Sequence, residues 1–141
     1  MRFLVMVKAN NEWDGELPTA EMGAFNDTLV RDGILLAAEG LQPSSKGARI
    51  SYAGSRAVVT DGPFAETKEL VAGFWIVEVR SKEELIERFS HCPFERGESI
   101  EIRQIFEAED FPQLPAERAN KMKSRALQTQ ERDEPKVDSR D

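Results

Sequence analysis

Gly73-Phe74-Trp75-Ile76-Val77-Glu78-Val79-Arg80-Ser81-Lys82-Glu83-Glu84-Leu85-Ile86-Glu87-Arg88-Phe89 is the stretch whose reading decides the fold. Gly73 to Val79 is a short aromatic and β-branched run, the composition of a strand. Ser81 followed three residues later by Glu84 fits a capping box, which opens a helix. Leu85, Ile86 and Phe89 share one face of that helix, and Pro93 marks its end. From Ser99 to Phe106 the pattern alternates: Ile100, Ile102 and Phe106 against Glu101, Arg103 and Glu107, with Ile105 off phase. That alternation predicts another strand, and the unit reads strand, helix, strand.

The same order recurs upstream. Phe3 to Val7 reads as a buried strand ending at the loop Asn10 to Gly15. Pro18-Thr19-Ala20-Glu21 opens a helix with Thr19 as N-cap and Glu21 suited to its positive first turn. Met22, Phe25 and Leu29 recur at helical spacing, Gly33 is placed to end the helix, and Ile34 to Ala38 is a second strand. Between the two units, Arg49 to Ala53 and Arg56 to Thr60 flank Gly54-Ser55, a two-residue connection suited to a β-hairpin. The order predicts an α+β, ferredoxin-like split βαβ fold: an antiparallel sheet with an inserted hairpin and both helices on one face. Trp75, Val77, Val5 and Ile102 suggest that the other face is apolar too. Two such sheets packed face to face, a homodimeric α+β barrel, are the expected cover.

Residues 1–107 form the expected domain. Residues 108–141 form an extension, with a helix over about 115–128, Pro115 at its first position and a narrow stripe of Ala119, Met122, Ala126 and Leu127. Gln128 to Asp141 is charged and lacks aromatics, the composition of a flexible tail. The formal charge of −7 is spread through both parts with no basic stripe, which argues against nucleic acid as partner. One Cys and one His cannot build a Cys/His metal cluster, so neither a metal nor a cofactor is expected. The apolar N-terminal stretch is too short for a signal segment and no run suits a membrane span, so a cytoplasmic protein without membrane contact is expected.

The densest chemistry lies on Asp61-Gly62-Pro63-Phe64-Ala65-Glu66-Thr67-Lys68-Glu69, between the hairpin and the Gly73 strand. This run resembles the signature of the DGPF-motif branch of the YCII-related proteins. Agreement extends to Glu39-Gly40-Leu41-Gln42-Pro43 and to Phe106-Glu107-Ala108-Glu109-Asp110-Phe111, over roughly residues 1–127. The resemblance implies a dimeric α+β barrel, a small enzyme of unsettled reaction and, for some members, genes beside sigma factors of the extracytoplasmic-function type. It also implies a departure: the compact YCII branch carries a His on its first helix, and that position falls near Met22 here. A thioether cannot transfer protons, so a His–Asp pair does not carry over.

Two readings of Asp61 stand side by side. As a strand-end carboxylate it is a general base or an anchor for a polar ligand. As the first residue of a turn it bonds its own backbone. Glu39, at the end of the second strand, is a second carboxylate whose approach to Asp61 would split acid and base roles. Glu66, Thr67 and Lys68 form a polar rim, with Lys68 suited to an anionic group, and Phe64 is placed to close over a pocket. The function expected is a cofactor-independent enzyme acting on a small polar metabolite. The alternative is a non-catalytic binding or regulatory module associated with a sigma factor.

Overall fold

The computed structural model describes residues 1–9, 19–64 and 70–131. The strands are β1 (Arg2–Lys8), β2 (Leu35–Gly40), β3 (Ala48–Ala53), β4 (Arg56–Asp61), β5 (Val71–Glu78) and β6 (Ser99–Gln104). The helices are α1 (Ala20–Arg31), α2 (Lys82–Phe89) and α3 (Ala116–Glu131), with 3-10 turns at Ser44–Lys46 and Ala108–Asp110. The expected loop from Asn10 and the tail beyond residue 131 lie outside the described residues.

β2, β5, β1 and β6 form one sheet in that order, and every neighbouring pair is antiparallel. This is the split βαβ topology: the two strand–helix–strand units interleave, so their first strands lie at the centre and their outer strands at the edges. β3 and β4 form a separate two-stranded sheet.

Local chemistry sets the helix ends. Thr19 Oγ1 accepts from the Met22 N–H at 3.2 Å, satisfying one of the free donors that begin α1. Gly33, at φ +68°, ends the helix, and the Ile34 N–H reaches back to the Leu29 carbonyl at 2.9 Å in a Schellman closure. Ser81 Oγ caps α2 through the Glu84 N–H at 3.1 Å. The reciprocal bond goes one residue further out than a capping box puts it, from the Arg80 N–H to Glu84 Oε2 at 3.0 Å. α3 begins one residue later than expected: the Pro115 carbonyl accepts the first helical bond, from the Ala119 N–H at 3.0 Å, so Pro115 is the cap rather than the first helical residue.

The core lies between the sheet and the pair α1–α2. Phe3, Val5, Trp75, Val77 and Val79 from the sheet meet Phe25, Leu29, Leu85 and Phe89 from the helices, with Ile100 and Ile102 packed against them. Trp75 is edge-on to Phe25, Phe89 and Phe94, and its Nε1–H donates to Asn26 Oδ1 at 2.8 Å. The ring nitrogen is thereby satisfied inside an otherwise apolar cluster.

This arrangement corrects the sequence reading of the sheet. Trp75, Val77, Val5 and Ile102 belong to the helix-covered face, not to the opposite one. Period-two alternation shows that they share a face without saying which face the helices take. The opposite face carries Leu4, Met6, Phe74 and Ile76, all half-buried, flanked by charged residues such as Glu101 and Arg103. α3 contacts both the 108–110 turn, which follows edge strand β6, and β2 at the far edge. Its half-buried stripe is Ala119, Met122, Ala126 and Thr129, whereas Leu127 points to solvent. Lys123 Nζ pairs with a Glu109 oxygen at 3.3 Å, holding the helix to the turn.

β6 also ends earlier than the alternation suggests. Arg2 takes both carboxylate oxygens of Glu107, at 2.7 and 3.0 Å, and Glu107 and Asp110 cap the following turn reciprocally. The chain is pulled out of strand geometry there, leaving Phe106 exposed beside Phe111 with ring centroids 5.0 Å apart.

Candidate functional site

The site is assembled from two chain segments that meet at the root of the β3–β4 hairpin. β4 ends at Asp61, paired across the ladder with Ala48. Beyond it the chain turns sharply through a cis Gly62-Pro63 bond against the 3-10 turn Ser44–Lys46. The Gly62 N–H donates to the Gly47 carbonyl at 3.1 Å, and the Phe64 N–H donates to Ser44 Oγ at 3.2 Å. The Arg49 guanidinium stacks over the Phe64 ring, 4.0 Å from its centroid. Gly62 is fixed by space as well: a Cβ there would stand 1.7 Å from the Ser44 carbonyl oxygen. No other residue fits that close approach of two backbones.

The consequence for Asp61 is direct. Pro63, two residues on, has no N–H for the Asp61 carboxylate to take, and the N–H groups of Gly62 and Phe64 go to Gly47 and Ser44, residues remote in sequence. Among the described residues the Asp61 carboxylate makes no hydrogen bond or ion pair, and it is exposed. The corner is braced by its neighbours, and its acid is left unengaged.

Glu39 lies in β2 opposite Phe74, in the four-stranded sheet, while Asp61 belongs to the two-stranded one. Its carbonyl oxygen lies 2.9 Å from where a Cβ on Gly73 would sit, which holds that β5 position to glycine. No hydrogen bond joins the two carboxylates. Phe64 is at the corner, half-buried under Arg49. Glu66, Thr67 and Lys68 lie outside the described residues. Sequence reading missed Ser44, Gly47 and Arg49. Their one local signal was the turn-rich run Pro43-Ser44-Ser45-Lys46-Gly47.

Met22 packs against the core. Cys92 is half-buried beside it, and burial, reinforced by the negative charge of Glu98, pushes its thiol up from 9.0 to about 12. That thiol is a small apolar filler rather than a nucleophile. Among the described residues no group of three or more His, Cys, Asp or Glu could hold a metal ion. Nor, among them, is any helix long and apolar enough to cross a membrane.

A ferredoxin-like α+β domain with a strand-end corner braced from a distant turn is the class that fold and site define. The chain belongs to the family of the YCII-related domain, whose model matches residues 1–109. An uncharacterised protein of Rhizobium meliloti (strain 1021) is 31% identical to it over 67 residues, or 48% of this chain and 54% of that protein. The chain thus spans about half the length of the curated relative it matches.

Proposed function

We propose that this YCII-related domain binds a small polar metabolite at its Asp-Gly-Pro-Phe corner, with Asp61 as the anchoring carboxylate and, toward an acidic proton of the ligand, as general base. The run Asp61 to Glu69 is also our ground for assigning the chain to the DGPF branch. The observation that carries the reading is the division of labour at the corner. Gly47 and Ser44 accept the N–H groups of the bend, so the aspartate has no structural duty to explain its presence. A charged oxygen pair on a rigid backbone is preorganised for a ligand's hydroxyl or ammonium donors. Phe64, held under Arg49, supplies an aromatic flank, and Glu66, Thr67 and Lys68 follow it directly along the chain. One carboxylate, Asp61, carries the proposal.

The test is a thermal melt of the wild type and Asp61→Asn against polar metabolites bearing hydroxyl or ammonium groups. A ligand at a hundred times its Kd stabilises the wild type by about 2.7 kcal/mol, a rise of roughly 10 °C for a domain this size. Asp61→Asn is expected to melt with the unliganded wild type and to show no response to that ligand. Equal responses from the two proteins refute the reading. So does a fall of more than about 4 °C in the unliganded variant, which returns Asp61 to a structural role at roughly 1 kcal/mol.

A further inference from the structure

The β3–β4 hairpin is a ladder of two strands. Among the described residues they pair only with each other, and every residue of both is exposed. Such a pair alone is at best marginally stable in water. The turn fixes which of its backbone groups are still free. Gly54, at φ +61°, and Ser55 form a two-residue connection whose first position has a positive φ, as in a type II′ turn. The flanking residues Ala53 and Arg56 are then a hydrogen-bonded pair, and such pairs recur at every second position. The Gly62 N–H, which donates to the Gly47 carbonyl at 3.1 Å, lies in the same phase. The residues in between are Ala57, Val59 and Asp61 on β4, and Ala48, Ile50 and Tyr52 on β3. Their N–H and C=O groups point away from the partner strand, toward the two outer edges.

We propose that the outer edge of β4 takes up an extended segment of another protein as a third strand, and that this segment is acidic, alternating carboxylate with apolar side chains. The two sides of the hairpin dictate the alternation. Ile50, Tyr52, Ala57 and Val59 share one side, with Tyr52 79%, Val59 62% and Ile50 54% exposed, while Arg49 and Arg56 lie on the other. A strand beside β4 sends alternate side chains to these two sides. Those next to Ala57 and Val59 widen the apolar strip, and those on the opposite side come level with Arg56. Among the described residues Arg56 makes no ion pair. Charge selects the occupant: from Ser44 to Asp61 the chain carries Lys46, Arg49 and Arg56 against Asp61 alone, although its formal charge as a whole is −7. A second hairpin brings the same positive excess and is disfavoured as the third strand. β4 is the docking edge rather than β3 for two reasons. Val58, Val59 and Thr60 are three consecutive β-branched residues, and the Arg49 guanidinium of β3 is already engaged over the Phe64 ring. This docking role goes beyond the ligand site and does not depend on it.

The probe is a fluorescein-labelled peptide of six residues, the length of β4, alternating valine and glutamate. A twin peptide carries lysine in place of glutamate. The anisotropy of each is followed against the full chain at low salt, with far-UV circular dichroism on every variant. The formal charge of −7 by itself favours the lysine twin. The expected result is the reverse, a Kd roughly tenfold lower for the glutamate peptide, which reports a local basic edge. Arg56→Glu is expected to invert that order. Val59→Pro removes an N–H that bonds nothing within the hairpin, so the ladder is retained while the edge is blocked; binding of the glutamate peptide is expected to weaken roughly tenfold. No saturable binding of the glutamate peptide below about 1 mM, the result if a second copy fills the edge instead, overturns the proposal. So does a wild type that prefers the lysine twin, or a folded Val59→Pro protein that binds as the wild type does. If Val59→Pro disrupts the fold, Arg56→Glu decides alone, and an unchanged preference for glutamate in that variant overturns the assignment.

Discussion

Replacing Gly62 with alanine places a methyl group 1.7 Å from the Ser44 carbonyl oxygen, and ordinary contact begins near 3.4 Å. The blocking atom is backbone, so no rotamer change relieves the clash. The two segments must part by roughly 1.7 Å, the difference between those two distances. The bonds joining them, Gly62 N–H to Gly47 at 3.1 Å and Phe64 N–H to Ser44 at 3.2 Å, already lie at the long end of the usual range. Both are lost. At about 1 kcal/mol net for each, the corner is weakened by about 2 kcal/mol. Opening there is sub-global, because among the described residues β3 and β4 pair only with each other. The assay is therefore amide hydrogen exchange rather than a melt: the amides of residues 62 and 64 are expected to exchange roughly 30-fold faster. The Val5 and Val77 amides keep their rates. Wild-type protection at both corner amides in a folded Gly62→Ala protein would refute the reasoning.

Gly23→Ala is the opposite case. The position is inside α1 with nothing within 4 Å of an added Cβ, so the variant gains about 1 kcal/mol of helix propensity. Its melting temperature should rise by roughly 5 °C, and a fall would contradict that packing. Leu29→Ala removes a side chain with no exposed surface; a loss of about 3 kcal/mol is expected in urea unfolding, and a loss below about 1 kcal/mol would mean that the core collapses around the gap. The Cys92 thiol, raised from 9.0 to about 12 by burial, should react with a disulfide reagent at pH 8 roughly a thousandfold more slowly than in the urea-unfolded chain. Since the thiol is held neutral, its contribution to stability is full below pH 9.0 and is lost as pH rises toward about 12. Native labelling within tenfold of the unfolded rate counts against that burial.

The features legible in the sequence are those decided by near neighbours. Thr19 and Ser81 cap the helices that their spacing announces, Gly33 adopts the positive φ that its position demands, and Gly54 at φ +61° turns the hairpin. The order of strands and helices then limits the topology to few choices. What stayed hidden depends on partners far along the chain. Val5, Trp75 and Ile102 share a face by periodicity, but only the packing of α1 and α2 says which face that is. Phe106 continues the alternation of β6, and it is Arg2, at the other end of the domain, that draws Glu107 away and ends the strand. The site follows the same rule. Asp61 reads equally as turn residue or anchor, and no local pattern announces that Ser44 and Gly47 hold the bend beside it.

The insertion leaves and rejoins the sheet at adjacent points: the Leu41 N–H, just past β2, bonds the Ala72 carbonyl of β5 at 2.9 Å. To the sheet, residues 42–70 are one long connection between neighbouring antiparallel strands. Extending a four-residue turn to such a length costs only about 2 kcal/mol of closure entropy. The framework of β1, β2, β5, β6 and the two core helices is accordingly indifferent to what this excursion contains. Hairpin and corner can be lengthened, recharged or exchanged for another loop of different chemistry while the same core folds beneath them. If the corner binds as proposed, recognition and foldability are carried by separable stretches of one chain.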